Sequence, residues 1–144
     1  MPLKFKSAYI TKVERETMNV GDYCAEFTDG YRPPIVFDRK GFSDLWGTMA
    51  TKDGHRRIKA SVRRAQEQNL TMFIIVEGTF SKVLSGFERS KFKGISMIRL
   101  LMSFWIRHGC QTIFCKDRTE MAKYITNFYV ALGKEHVRKL KEPC

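Results

Sequence analysis

The chain has 144 residues, 43% of them hydrophobic and 28% charged, which is long and apolar enough for one buried core and argues against a disordered segment. Lys and Arg outnumber Asp and Glu by 26 to 15, and the resulting charge of +11 favours polyanionic partners and disfavours cationic ones. No apolar run reaches bilayer-spanning length and no secretory h-region is seen, so no membrane association is expected.

In chain order, apolar and polar residues alternate over 9–14 and 22–27, which predicts two strands. Turn signals at Thr28-Asp29-Gly30 and Arg32-Pro33-Pro34 then lead to a third strand over 35–40, and the three together imply a β-meander. Ser43 or Asp44 can start a short helix through Met49, which gives Asp44 a local role as a cap or first-turn acid. Beyond Lys52-Asp53-Gly54, residues 55–68 carry Ile58, Val62 and Ala65 on one stripe. Arg56, Arg57, Lys59, Arg63 and Arg64 surround that stripe with Glu67 as the single opposing acid. Such a helix is either a phosphate-binding surface or an ordinary solvated face.

Residues 70–76 are an apolar run of strand length, suited to a sheet centre covered on both faces. Residues 79–94 mix Phe80, Phe87 and Phe92 with Lys82, Arg89, Lys91 and Lys93 and show no period. They read as a loop that either touches nucleic acid through rings and charge or partly buries its phenylalanines. A helix over 95–107 ends at Gly109, a strand covers 111–114, and a last helix over 119–132 closes at Gly133. Both helices carry more apolar surface than one stripe needs. A subunit contact is therefore expected, with Phe128, Tyr124 and Leu132 near its centre and Phe104 or Leu100 close by; plain core packing is the alternative. Cys24, Cys110, Cys115 and Cys144 have no paired short spacing, so they read as reduced thiols, buried rather than ligating zinc, in an intracellular setting. That setting is cytoplasmic for a prokaryote or phage and nuclear for a eukaryote. No repeat or low-complexity segment divides the chain, which reads as one domain over 1–144.

The chemistry concentrates in Gly21-Asp22-Tyr23 and Val36-Phe37-Asp38-Arg39-Lys40. On a strand, Asp38 and Lys40 project to one face while Arg39 points to the other. If Asp22 sits beside them, two carboxylates can hold a hard divalent cation, with an ammonium next to the water or phosphate being worked on.

The run Asp38-Arg39-Lys40-Gly41-Phe42-Ser43-Asp44, with Gly21-Asp22 upstream, resembles the Gly-Asp, Glu-Arg-Lys-x-x-x-Asp signature of XPF-type structure-selective endonucleases in the PD-(D/E)xK superfamily. Phe73-Ile74-Ile75-Val76-Glu77-Gly78, Gly109 to Phe114 and Lys116 to Ala122 are similar to later segments of that family, so residues 9–135 are covered. Asp38 stands where the family prefers glutamate, and Val13-Glu14-Arg15-Glu16 imitates the family's Asp-x-Arg-Glu letters. The resemblance implies a restriction-endonuclease-like α/β fold, a central mixed sheet flanked by helices, and a Mg²⁺-dependent DNA endonuclease for branched or flapped DNA, with Mn²⁺ able to substitute. It implies Asp22, Asp38 and Glu77 as metal ligands, Glu77 being otherwise a rim residue, and Asp22, Asp38, Lys40, Arg39 and Asp44 as the catalytic set. Pairing of two copies through the last two helices follows from the same resemblance, and the family's helix-hairpin-helix module has no counterpart in this sequence. A non-catalytic DNA-binding or assembly subunit and a sequence-specific restriction-type nuclease remain the alternatives.

Overall fold

The computed structural model describes residues 2–10, 12–14, 18 and 20–142. Three parallel strands, β1 (Ile35–Lys40), β2 (Thr71–Glu77) and β3 (Thr112–Cys115), form a sheet in the order β1-β2-β3. Parallel neighbours need crossover connections. Helices α1 (Phe42–Met49) and α2 (Lys52–Glu67) join β1 to β2, and α3 (Phe80–Ser85) and α4 (Gly94–His108) join β2 to β3. The last helix, α5 (Arg118–Lys141), follows β3. This is the expected α/β class, a sheet flanked by helices.

Alternation on β2 divides the core. Met72, Ile74 and Val76 join Leu45, Trp46, Ile58, Val62, Met97 and Leu101 on the side of α1, α2 and α4. Phe37, Ile75 and Ile113 join Met121, Ile125 and Tyr129 on the α5 side. Burial on both faces explains the uninterrupted apolar run of β2.

The expected β-meander does not form. Of residues 22–27 only Tyr23 pairs, in a single antiparallel bridge to Phe37. The next rung is unavailable because the Ile35 amide turns back to donate to Pro33 O (2.8 Å), and the two prolines before it have no N–H to offer. Residues 9, 10 and 12–14 are not strand either; Tyr9 and Val13 are exposed, so their alternation has no face to cover. The imitation of Asp-x-Arg-Glu at 13–16 lies partly outside the described residues.

Two helices also differ from expectation. Helix α3 arises inside the presumed loop, where the Thr79 hydroxyl accepts from the Lys82 amide (3.1 Å) and Gly86, at φ 90°, ends the turn. Helix α5 runs past Gly133 to Lys141. A Cβ at Gly133 would lie 3.7 Å from the Phe27 ring, and beyond it His136 Nε2 meets Asp29 Oδ2 at 2.7 Å while Arg138 pairs with Glu135 and Glu142. These contacts carry the helix past a residue that usually ends one.

Helices α1 and α2 cross closely at Gly54, where an added Cβ would lie 2.3 Å from Thr48 O. Replacing a helical glycine by alanine ordinarily gains about 1 kcal/mol. Here the sign should reverse: Gly54→Ala is expected to cost about 2 kcal/mol or more, because backbone rather than a flexible side chain must move. Urea unfolding checks this, and an unchanged or raised midpoint would contradict the close crossing.

Candidate active site

The site grows from the Tyr23–Phe37 bridge. Gly21 takes φ 72°, and a Cβ there would meet Val36 Cβ at 3.0 Å, so the chain passes over β1 at a distance only glycine permits. The bridge is closed by Phe37 N–H donating to Tyr23 O (2.9 Å) and by the Asp22 and Tyr23 amides donating to Phe37 O (2.7 and 3.1 Å). This anchorage delivers Asp22 to β1, where its Oδ2 accepts from the Arg39 amide at 2.8 Å. A residue sixteen positions upstream is thereby bound to the strand that carries Asp38 and Lys40.

Asp38 and Lys40 share a face of β1, as alternation requires, and it is the face of Val36 and of their β2 partners Ile74 and Val76. Lys40 Nζ lies 3.1 Å from Asp38 Oδ2, and both side chains are mostly buried, 19% and 13% exposed. That carboxylate oxygen is buried and has no well-aligned hydrogen-bond donor; the Lys40 ammonium faces it as an ion pair. Burial pushes the Asp38 carboxyl above the ordinary carboxylate range, Lys40 opposes the shift, and the neighbouring Asp22 charge adds to it. Two acids on one lysine, one with a buried unsatisfied oxygen, form a donor set short of positive charge, which fits a hard divalent cation.

Glu77 pairs with Cys115 and by alternation faces the α5 side, opposite Asp38 and Lys40. Among the described residues, no three His, Cys, Asp or Glu side chains are grouped to hold a metal ion, so Glu77 is not brought to the pair. Arg39 also points to the face opposite Asp38, and Asp44 is an exposed first-turn acid of α1 folded toward Gly41, where an added Cβ would lie 3.2 Å from its Oδ2. Burial raises the Cys110 thiol to about 12, with Asp38 contributing, and Cys115 to about 11, so both are protonated core thiols; Cys24, expected to be buried, is exposed. Arg56, Arg57, Lys59, Arg63 and Arg64 are all exposed on α2, opposite buried Ile58, Val62 and Ala65. Phe87 and Phe92 are partly buried against Trp46, at ring distances of 6.1 and 6.4 Å.

The ERCC4 domain family model matches residues 1–128. The chain belongs to the ERCC4 domain family. No curated protein matches it. Two solved structures share the fold of this ERCC4 domain. The first is XPF from Aeropyrum pernix, with TM-score 0.63 and 22% identity over 88% of this chain and 57% of that one. The second is the same protein in complex with DNA, with TM-score 0.62 and 21% identity over 83% and 52%. The ERCC4 domain thus spans just over half of the chains it resembles.

Because the buried Asp38 is penalised when charged, its ionisation works against folding. Its raised folded value means that stability falls as pH rises from the ordinary carboxylate range through that value. Asp38→Asn removes this dependence. In the absence of divalent cations, the stability gap between variant and parent should widen in favour of the variant between pH 4 and pH 7. A gap that is flat or narrows over that range, measured by thermal unfolding, would contradict the burial of the charge.

Proposed function

We propose that this ERCC4 domain is a metal-dependent DNA endonuclease acting on branched or flapped DNA. The observation that carries the reading is the buried Asp38 carboxylate held against Lys40, with Asp22 pinned beside it. Family membership supports a nuclease of structured DNA, and the relative solved with DNA supports DNA as the partner.

Asp22 and Asp38 would hold Mg²⁺, with Mn²⁺ as a substitute, and the ion when bound supplies Lewis-acid polarisation of a phosphoryl oxygen. The chain's own residues account for the remainder. Lys40 orients the attacking water, assists loss of its proton, and offsets the negative charge that builds on the phosphorane. The Arg39 amide fixes Asp22 through the 2.8 Å bond, while its guanidinium serves the opposite face. Asp44 supports the site from the start of α1, and the cations of α2 hold phosphates without reading sequence. Glu77 is left as a rim residue.

The partner reading is a homodimer, with a revised contact. Phe104 is 3% exposed and packs against His55, so it is unavailable to a partner. Phe128 is partly buried against Phe37 and Phe73, and Leu132 and Leu100 are partly buried as well. Exposed apolar side chains lie instead on α4, at Met102, Trp105 and Ile106, with Tyr124, Val137 and Leu140 on α5. Ile106, 84% exposed, is the outermost.

Incubation with Mg²⁺ and matched duplex, flap, fork and four-way junction DNA tests the activity. Cleavage restricted to branched forms is expected, and Asp38→Ala and Lys40→Ala should each reduce it on the order of a thousandfold without loss of fold or of DNA affinity. Undiminished cleavage in both variants would remove the assignment. Light scattering tests the pairing: the parent should show twice its 16.8 kDa chain mass, and Ile106→Glu should give a folded single-chain species. A parent of single-chain mass at micromolar concentration would end the dimer reading.

A further inference from the structure

The loop between α3 and α4 borders an open cleft of about 910 Å³ that begins where β1 and β2 end. Phe42 forms one wall. It stands two residues beyond Lys40, and its ring lies 3.1 Å from a Cβ position on Gly78, the residue after β2. Lys82, Lys91 and Lys93 line the cleft and are exposed, with Glu88 as the single lining acid. Among the described residues none of these lysines makes an ion pair, and the Lys82 ammonium rests 4.4 Å above the Phe42 ring. Apolar surface is interleaved with this charge, since the lining residues Leu84 and Ile95 are each 41% exposed.

The cleft is also preformed. Phe42 is held edge-on by Phe87 (5.5 Å), which in turn stacks on Trp46. The loop is pinned at both ends. Gly86 N–H donates to Val83 O (3.0 Å), and Gly94 lies so close to α3 that an added Cβ would be 2.1 Å from Leu84 O. Within it, the Ser90 amide bonds Phe87 O and the Phe92 amide bonds Ser90 Oγ. A groove ordered before binding loses little entropy when filled.

We infer that this cleft binds the unpaired strand of a branched DNA, next to the phosphodiester that is cut. The inference rests on the endonuclease reading and names the part of the substrate received there. Duplex DNA hides its base faces in the stack and presents phosphates to a protein surface. The α2 face, with five cations and no exposed apolar side chain between them, suits that form. An unpaired strand offers phosphates and apolar base faces alternately, and the cleft supplies both lysine and exposed apolar groups. It opens at the carboxyl ends of the strands, the usual place for ligands on an open α/β sheet.

The test is fluorescence anisotropy in EDTA, with the full chain, a labelled twelve-residue oligo-dT and a blunt duplex. Lys82→Ala/Lys91→Ala should weaken oligo-dT binding about tenfold at low salt and reduce the slope of log affinity against log salt by about 1.4, twice the single-strand contribution. Duplex affinity should change less than about twofold, since its phosphates are held elsewhere. Arg57→Ala/Arg64→Ala should do the reverse and reduce the duplex slope by about 1.8. Unchanged oligo-dT binding in the lysine variant, or equal losses for both probes, would overturn the inference. If the parent cuts nothing in Mg²⁺ but this binding pattern holds, the nuclease reading fails and the cleft stands. If the parent cuts branched DNA and the pattern is missing, the cleft fails alone.

Discussion

The single antiparallel bridge between Tyr23 and Phe37 is the constraint on which the site depends. Among the described residues before β1 no other ladder bond reaches that strand, so the bridge is what carries Asp22 to Asp38. The bridge is short because Pro33, Pro34 and the locally satisfied Ile35 amide forbid a second rung. It is close because Gly21 adopts a left-handed backbone against Val36. A turn of chain thus does what a full strand would do, and the cost is a carboxylate brought up to another that is already buried.

That cost is what the proposed cation would offset. Ordinary core design would place an apolar residue at position 38, since its strand neighbours across the sheet are Ile74 and Thr112 and the surrounding cluster is apolar. An ionised carboxyl there is penalised by burial and by Asp22, and only partly relieved by Lys40. Arrangements that weaken folding persist where function requires them, and a bound cation would reverse the balance by satisfying both acids at once. The sheet supports this by rigidity: β2 is buried at Met72, Ile74, Ile75 and Val76, so the strand bearing Asp38 and Lys40 has a fixed neighbour.

Much of this was legible in the sequence because strand alternation is a strict rule. Asp38 and Lys40 had to share a face once 35–40 was a strand, and the apolar run of β2 had to be central. The Gly-Asp turn was legible only through its resemblance to a known signature, since no local rule couples Asp22 to a strand sixteen residues away. For Glu77, a metal ligand or a rim residue from the sequence, the same alternation applied to β2 gives the α5 side. The meander was over-read because alternation over 22–27 reflects packing of Tyr23 and Ala25 on the α5-side core, not ladder pairing. Thr79 as a cap and Gly86 as a stop could have revealed α3, and exposure at Ile106 and Trp105 depends on which face of α4 meets the sheet, which one sequence does not specify.

The most direct measurement is titration of the parent, Asp22→Asn and Asp38→Asn with Mg²⁺ at neutral pH, without DNA, followed by thermal unfolding. Mg²⁺ should raise the parent's midpoint in a saturable manner and leave both variants unmoved. A parent that gains nothing, or variants that gain as much as the parent, would contradict the claim that Asp22 and Asp38 are assembled to hold a cation.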